Sequence, residues 1–212
     1  VKLSGMNTGR THRTSSSGIG DLSIAGLYKL SGKSNLKLSL SIPTGEFDEK
    51  DKNMMGMMKI LPYPMQLGSG TYDVTLGYSF QEIFSDWSYG FQLNATKRFD
   101  YNSEDWRYGD RREVSVWAAK PLSKTFSFSI GLDIEHQDNI NGKSSNRNNM
   151  TPTWNEYFHS HLRVSSNIGL NYKIPNSKSR IGLQCGVPIY EDVDGPQMDP
   201  DFKCNLGFSS MM

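Results

Sequence analysis

Over most of the chain the side chains change character at every second position, and that period dictates strands. In 125–135, Phe126, Phe128, Ile130, Leu132 and Ile134 alternate with Thr125, Ser127, Ser129, Gly131, Asp133 and Glu135. Successive strand side chains point to opposite faces, so the segment has one apolar and one polar face. The same holds in 71–81, where Tyr72, Val74, Leu76, Tyr78 and Phe80 oppose Asp73, Thr75, Gly77 and Ser79. In 87–99, Trp87, Tyr89, Phe91, Leu93 and Ala95 oppose Gln92, Asn94, Thr96 and Arg98. Segments 21–30, 36–42 and 112–119 follow the rule less purely, 162–174 and 180–189 return to the clean pattern, and 202–208 closes the series. About nine strands result, most near the ~9–11 residues that cross a bilayer at a tilt.

A soluble β-sandwich alternates too. The connections decide against it. Short turns at 31–35, 82–86, 121–124 and 175–179 alternate with long loops at 46–70, 100–110, 141–160 and 190–201. Short turns on one side and long loops on the other are the outer-membrane barrel arrangement. A mean hydropathy of -0.56 is compatible with this, because a barrel shows lipid only every second residue. No apolar run approaches the ~20 residues of a membrane helix. With Lys+Arg 23 against Asp+Glu 22, no basic field points to nucleic acid.

The expected fold is therefore an all-β antiparallel transmembrane barrel, with residues 1–212 as one domain and 1–17 as the remnant of an external loop. An odd strand count cannot close antiparallel, and bacterial single-chain barrels are even-stranded. Strands ahead of Val1, or a partner chain, are expected to bring the barrel to roughly 12.

Several segments carry a resemblance: SGIGDLSIAGLYKL at 17–30, LSIPTGE at 40–46, LPYPMQLGSGTYD at 61–73, WRYGDRR at 106–112 and GVPIYEDVDGPQ at 186–197. Together they resemble outer-membrane proteins of a phenol-degradation pathway family, often simply called transporters. The resemblance implies an outer-membrane barrel with further strands ahead of the SGIGD segment. It also implies a terminal aromatic residue, whereas this chain ends GFSSMM.

Lys29, Lys37, Asp73, Arg98, Glu113, Asp133, Glu135, Arg163 and Lys203 fall on polar faces. They are candidates to line a lumen, as selectivity groups or as a salt-bridged network. Met54, Met55, Met57 and Met58 crowd the longest loop. Thioether sulfur suits Cu(I), and methionine equally suits irregular apolar contacts. Catalysis has little to stand on. Ser160 lies between His159 and His161, but neighbours on alternating faces do not meet, and these read as surface histidines. Asp192, Asp194 and Asp199 lack calcium-loop spacing and read as a turn built on Gly195 and Pro196. Cys185 and Cys204 face lipid on adjacent strands and read as free thiols.

The expected function is passage of small solutes through a barrel in the lipid of the outer membrane, without enzymatic activity or a cofactor. A copper-handling or purely structural barrel is the alternative.

Overall fold

The computed structural model describes residues 14–52, 57–146, 152–197 and 201–210. Its main sheet contains β1 (Leu22–Lys29), β2 (Ser34–Ile42), β5 (Tyr72–Phe84), β6 (Trp87–Phe99), β8 (Arg111–Pro121), β9 (Phe126–Gln137), β11 (His161–Lys173), β12 (Ser179–Val193) and β13 (Lys203–Ser210). Two small antiparallel pairs lie in the loops: β3 (Lys50–Lys52) with β4 (Met58–Ile60), and β7 (Trp106–Arg107) with β10 (Asn141–Gly142) from another loop. The sheet is a meander in which each strand pairs antiparallel with its sequence neighbour in that sheet. It curls into a half-barrel. β1 and β13 form its two edges and do not pair with each other among the described residues.

The connections fall as the alternation requires. Segments 30–33, 85–86, 122–125 and 174–178 are tight turns at one end. Segments 43–71, 100–110, 138–160 and 194–202 are the loops at the other. The turn expected at 82–86 shrinks to 85–86, because Glu82–Phe84 still pair with Trp87–Tyr89. Ser85 takes the left-handed conformation that closes this two-residue hairpin.

Directly paired residues share a face, so the register assigns every side chain. The row through Leu38, Leu76, Ala95, Arg112 and His136 is convex, and the row through Lys37, Gly77, Asn94, Glu113 and Glu135 is concave. On the convex side Leu76 is 63% exposed, Ile130 46% and Leu206 77%. Among the described residues, no second layer covers that face. Among the described residues, the buried hydrophobic core consists of Leu61, Tyr63, Trp106, Ile140 and Trp154, and none of these lies on the main sheet. A water-soluble sandwich has its apolar faces packed together; here they are turned outward, as lipid demands.

β12 carries one irregularity. Its register with β11 shifts between Val164 and Ser165, where Tyr190 and Pro188 are the opposing partners. Pro188 supplies no N–H to the ladder, and a bulge is where a sheet accommodates it. The strand then continues to Val193, beyond the expected end at residue 189.

The cysteines correct the expectation of free thiols. Cys185 and Cys204 are register partners on β12 and β13, their Cα atoms 4.1 Å apart, and they form a disulfide. Both were expected on the lipid face of adjacent strands; direct opposition across the ladder is what joins them.

Candidate functional site

The concave face is graded along the strands. Near the tight turns and at mid-height it holds mostly small and amide side chains, among them Gln92, Ser115, Ser129, Asn171, Gln184 and Asn205, around an open trough of about 820 Å³ that Lys173 and Arg180 border. Trp117 lies in this trough between two glycines. A Cβ on Gly90 would stand 2.8 Å from its ring, so glycine there makes room for the indole.

Towards the loop end the face becomes charged. Arg98 Nε donates to Asp73 at 3.3 Å, and the Thr71 hydroxyl donates to the same carboxylate at 2.8 Å. Arg111 Nη2 reaches Glu113 at 2.7 Å and Glu135 at 2.6 Å, and His161 Nε2 lies 3.0 Å from Glu135. Arg163 pairs with Glu191. One step deeper, Asn167 Nδ2 donates to Asp133 at 2.7 Å. Of the expected lumen residues, Asp73, Arg98, Glu113, Asp133, Glu135 and Arg163 thus join a hydrogen-bonded band. Lys29, Lys37 and Lys203 share the face but have no acidic partner among the described residues. The sequence reading omitted Arg111, His161 and Glu191, and also Lys173 and Arg180. Carrying the two-residue period through to the strand ends places Arg111, His161, Lys173 and Arg180 on the same face, whereas Glu191 reaches it only through the register shift in β12.

The loops fold over this band. Tyr63 comes from segment 43–71, Trp106 from 100–110, and Ile140 and Trp154 from 138–160; they cluster with Phe47, Ile60 and Tyr108. Tyr63 packs edge-on against Trp106 at 4.8 Å and Trp154 at 5.2 Å. The Tyr108 hydroxyl donates to the Tyr63 carbonyl at 2.6 Å, and the Ser144 amide donates to the Tyr63 hydroxyl at 3.0 Å. Burial pushes the Tyr108 phenol up. The concave Arg98 guanidinium sits 5.3 Å above the Tyr108 ring and donates to the Gly109 carbonyl, which ties the cap to the wall.

The remaining loop joins through Asn139. Its Oδ1 accepts from the His159 and Ser160 amides at 3.0 and 2.7 Å, while Gln197 Nε2 donates to the Ser160 carbonyl at 2.7 Å. His159 therefore is not a surface histidine: it is 9% exposed, with its ring 5.6 Å from Tyr63. Burial holds its imidazole down, to about 4. His161 is likewise drawn inward, by Glu135. Asp194 accepts from Asn139 Nδ2 at 3.3 Å and Gly195 has a φ of 73°, which supports the turn reading; Asp199 lies outside the described residues.

The sequence motifs that carried the resemblance meet in this cap. Asp21 accepts from the Gly45 amide at 3.0 Å, and from the Ser69 amide and hydroxyl at 2.8 and 2.7 Å. Gly45 and Gly68 touch so closely that a Cβ on Gly68 would stand 2.3 Å from the Gly45 carbonyl oxygen. The SGIGD, PTGE and LGSG segments are thus one junction. Trp106 and Tyr108 bring WRYGD to the same place, and Gln197 brings the end of DGPQ.

Met57 and Met58 stand 49% and 58% exposed on the loop side, Met58 in the β3–β4 pair. Met54 and Met55 lie outside the described residues.

Comparison with known proteins follows the same lines. The profile of a family described as "Putative MetA-pathway of phenol degradation" matches residues 1–179. The fold is similar to the crystal structure of an outer membrane channel from Pseudomonas putida F1, with a TM-score of 0.62 at 14% identity, over 91% of this chain and 66% of the channel. This chain therefore spans slightly less than two thirds of that channel's length. No curated protein matches the sequence.

Proposed function

The chain belongs to the phenol-degradation MetA family, and from that premise we propose that it forms one wall of an outer-membrane passage for small solutes, narrowed at the loop end by its cap. The observation that carries this reading is the inverted distribution of side chains. The apolar residues of the strands face outward unpacked, while the concave face holds amides, hydroxyls and charges around an open trough. Such a surface is at home with lipid on one side and water on the other.

The open edges of β1 and β13 belong to the same reading. Their unpaired N–H and C=O groups are costly in hydrocarbon, so further strands or a partner chain complete the ring. The likeness to a longer outer-membrane channel supports this.

The test is ion conductance in planar bilayers, with solute uptake by liposomes alongside. Phenol belongs among the solutes because of the family's description. Discrete conductance steps are expected. A protein that folds in the bilayer and never conducts, even after its cap is loosened, would favour a structural barrel instead.

A further inference from the structure

The concave face carries more positive charge than its carboxylates offset. Its acidic groups are engaged: Asp73 with Arg98, Glu113 and Glu135 with Arg111, Glu191 with Arg163, and Asp133 with Asn167. Lys29, Lys37, Lys173, Arg180 and Lys203 share that face and have no acidic partner among the described residues. Their placement follows from register. Lys29 opposes Asn35, Lys37 opposes Gly77, Lys173 opposes Arg180, and Lys203 opposes Gly186, each in a concave row. Arg180 and Lys173 also border the trough itself.

The imbalance has an ordered layout. The ion pairs concentrate at the loop end, beneath the cap, where Arg98, Arg111 and Arg163 face Asp73, Glu113, Glu135 and Glu191. The unpartnered cations run from Lys37 on one flank to Lys203 and Arg180 on the other, and down to Lys173 near the tight turns. Two cations at Lys173 and Arg180 are direct neighbours across a strand pair, an arrangement that costs energy unless an anion or water lies between them.

We propose that the passage prefers anions, and that Lys37, Lys173, Arg180 and Lys203 set this preference for small inorganic anions and carboxylates. The proposal rests on the passage reading above. A trough in which basic side chains outnumber carboxylates, with a low-dielectric wall behind it, focuses its field into the water and raises the local concentration of counter-ions. Rings of basic side chains are how pores select anions. The competing arrangement has carboxylates on the strands that close the ring neutralising these cations, and the experiment separates the two.

The measurement is the zero-current potential of the protein in planar bilayers under a potassium chloride gradient, repeated with potassium acetate. The expected chloride-to-potassium permeability ratio is about threefold or more. It should fall towards unity in the variant K37Q/R180Q/K203Q, whose glutamines keep the trough polar and leave the ion-paired band intact. Heat-modifiable gel mobility checks that the variant folds. Conductance with a ratio at or below one, or a ratio unmoved in the folded variant, overturns the anion preference and leaves the passage standing. No conductance at all, in the cap-loosened Trp106→Ala protein as well, overturns both.

Discussion

Ile130 and Ser129 are neighbours in β9 that meet different solvents. Ile130 stands 46% exposed on the convex face, and Ser129 falls in the concave row with Ala119 and Gly169. Ile130→Arg should therefore cost about 2–4 kcal/mol, the depth-dependent penalty of a cation facing mid-membrane lipid. Ser127→Arg, on the concave side of the same strand, should stay within about 0.5 kcal/mol, as exposed polar positions do. Urea titration of the protein folded in bilayers reads both, and equal losses would reject the two-solvent wall. His159 offers a second residue-scale test. Its folded pKa, held at about 4 by burial against weaker opposing pulls from the Thr153 backbone and Glu156, lies below the ordinary 6.5. A base with a lowered folded pKa contributes stability that is complete above pH 6.5 and declines as pH falls towards 4. The loss amounts to about 3 kcal/mol at full protonation. Tryptophan emission from the cap should shift across that window, and His159→Phe, which keeps a ring against Tyr63, should flatten the response. The same profile in both proteins would show that another group titrates.

At the scale of the element, β13 is, like β1, an edge strand held by a single ladder. All eight of its residues are exposed, and it pairs only with β12. The Cys185–Cys204 bond crosses that single ladder. It closes a loop with a sequence separation of 19, and constraining a loop of that order restricts the unfolded chain by about 3 kcal/mol. An oxidising compartment such as the periplasmic side of an outer membrane is where such a bond persists. Replacing both cysteines by serine should expose the backbone after Lys203 to trypsin several-fold faster in the folded protein. Unchanged protection would mean that the ladder alone holds β13. The contrast with β5 and β6 is instructive: each is 13 residues long, and both have partners on two sides.

At the scale of the molecule, the chain has a wall without a packed core and a cap that contains one. The cap draws three loops onto Tyr63 and Trp106, which are 1% and 2% exposed, and a fourth through Asn139. Removing a buried indole typically costs 3–5 kcal/mol, and here that loss falls on the cap and not on the ladders. Trp106→Ala should raise single-channel conductance and increase its noise while the barrel's resistance to heat in detergent stays nearly unchanged. A variant that loses barrel stability and leaves conductance unaltered would place the cap in the scaffold and not in the path.

The two-residue period, the alternation of short and long connections and the polar lining of one face are local or nearly local properties, and the sequence by itself determined them. So it determined that Lys37, Asp73, Arg98, Glu113, Asp133, Glu135, Arg163 and Lys203 share a face. It could not determine which of them pair. Arg111 serves both Glu113 and Glu135 because β8 and β9 meet in one particular register, and a shift by one residue would send those side chains to lipid. The disulfide and the buried His159 were likewise decided by contacts between distant segments, Cys185 with Cys204 and His159 with Tyr63. The cap was the least legible part, since its motifs at Asp21, Gly45, Ser69, Trp106 and Gln197 are scattered along the chain and show no period. Only the tertiary structure joins them, because glycine contacts and loop hydrogen bonds depend on where chain segments meet, which no local pattern records.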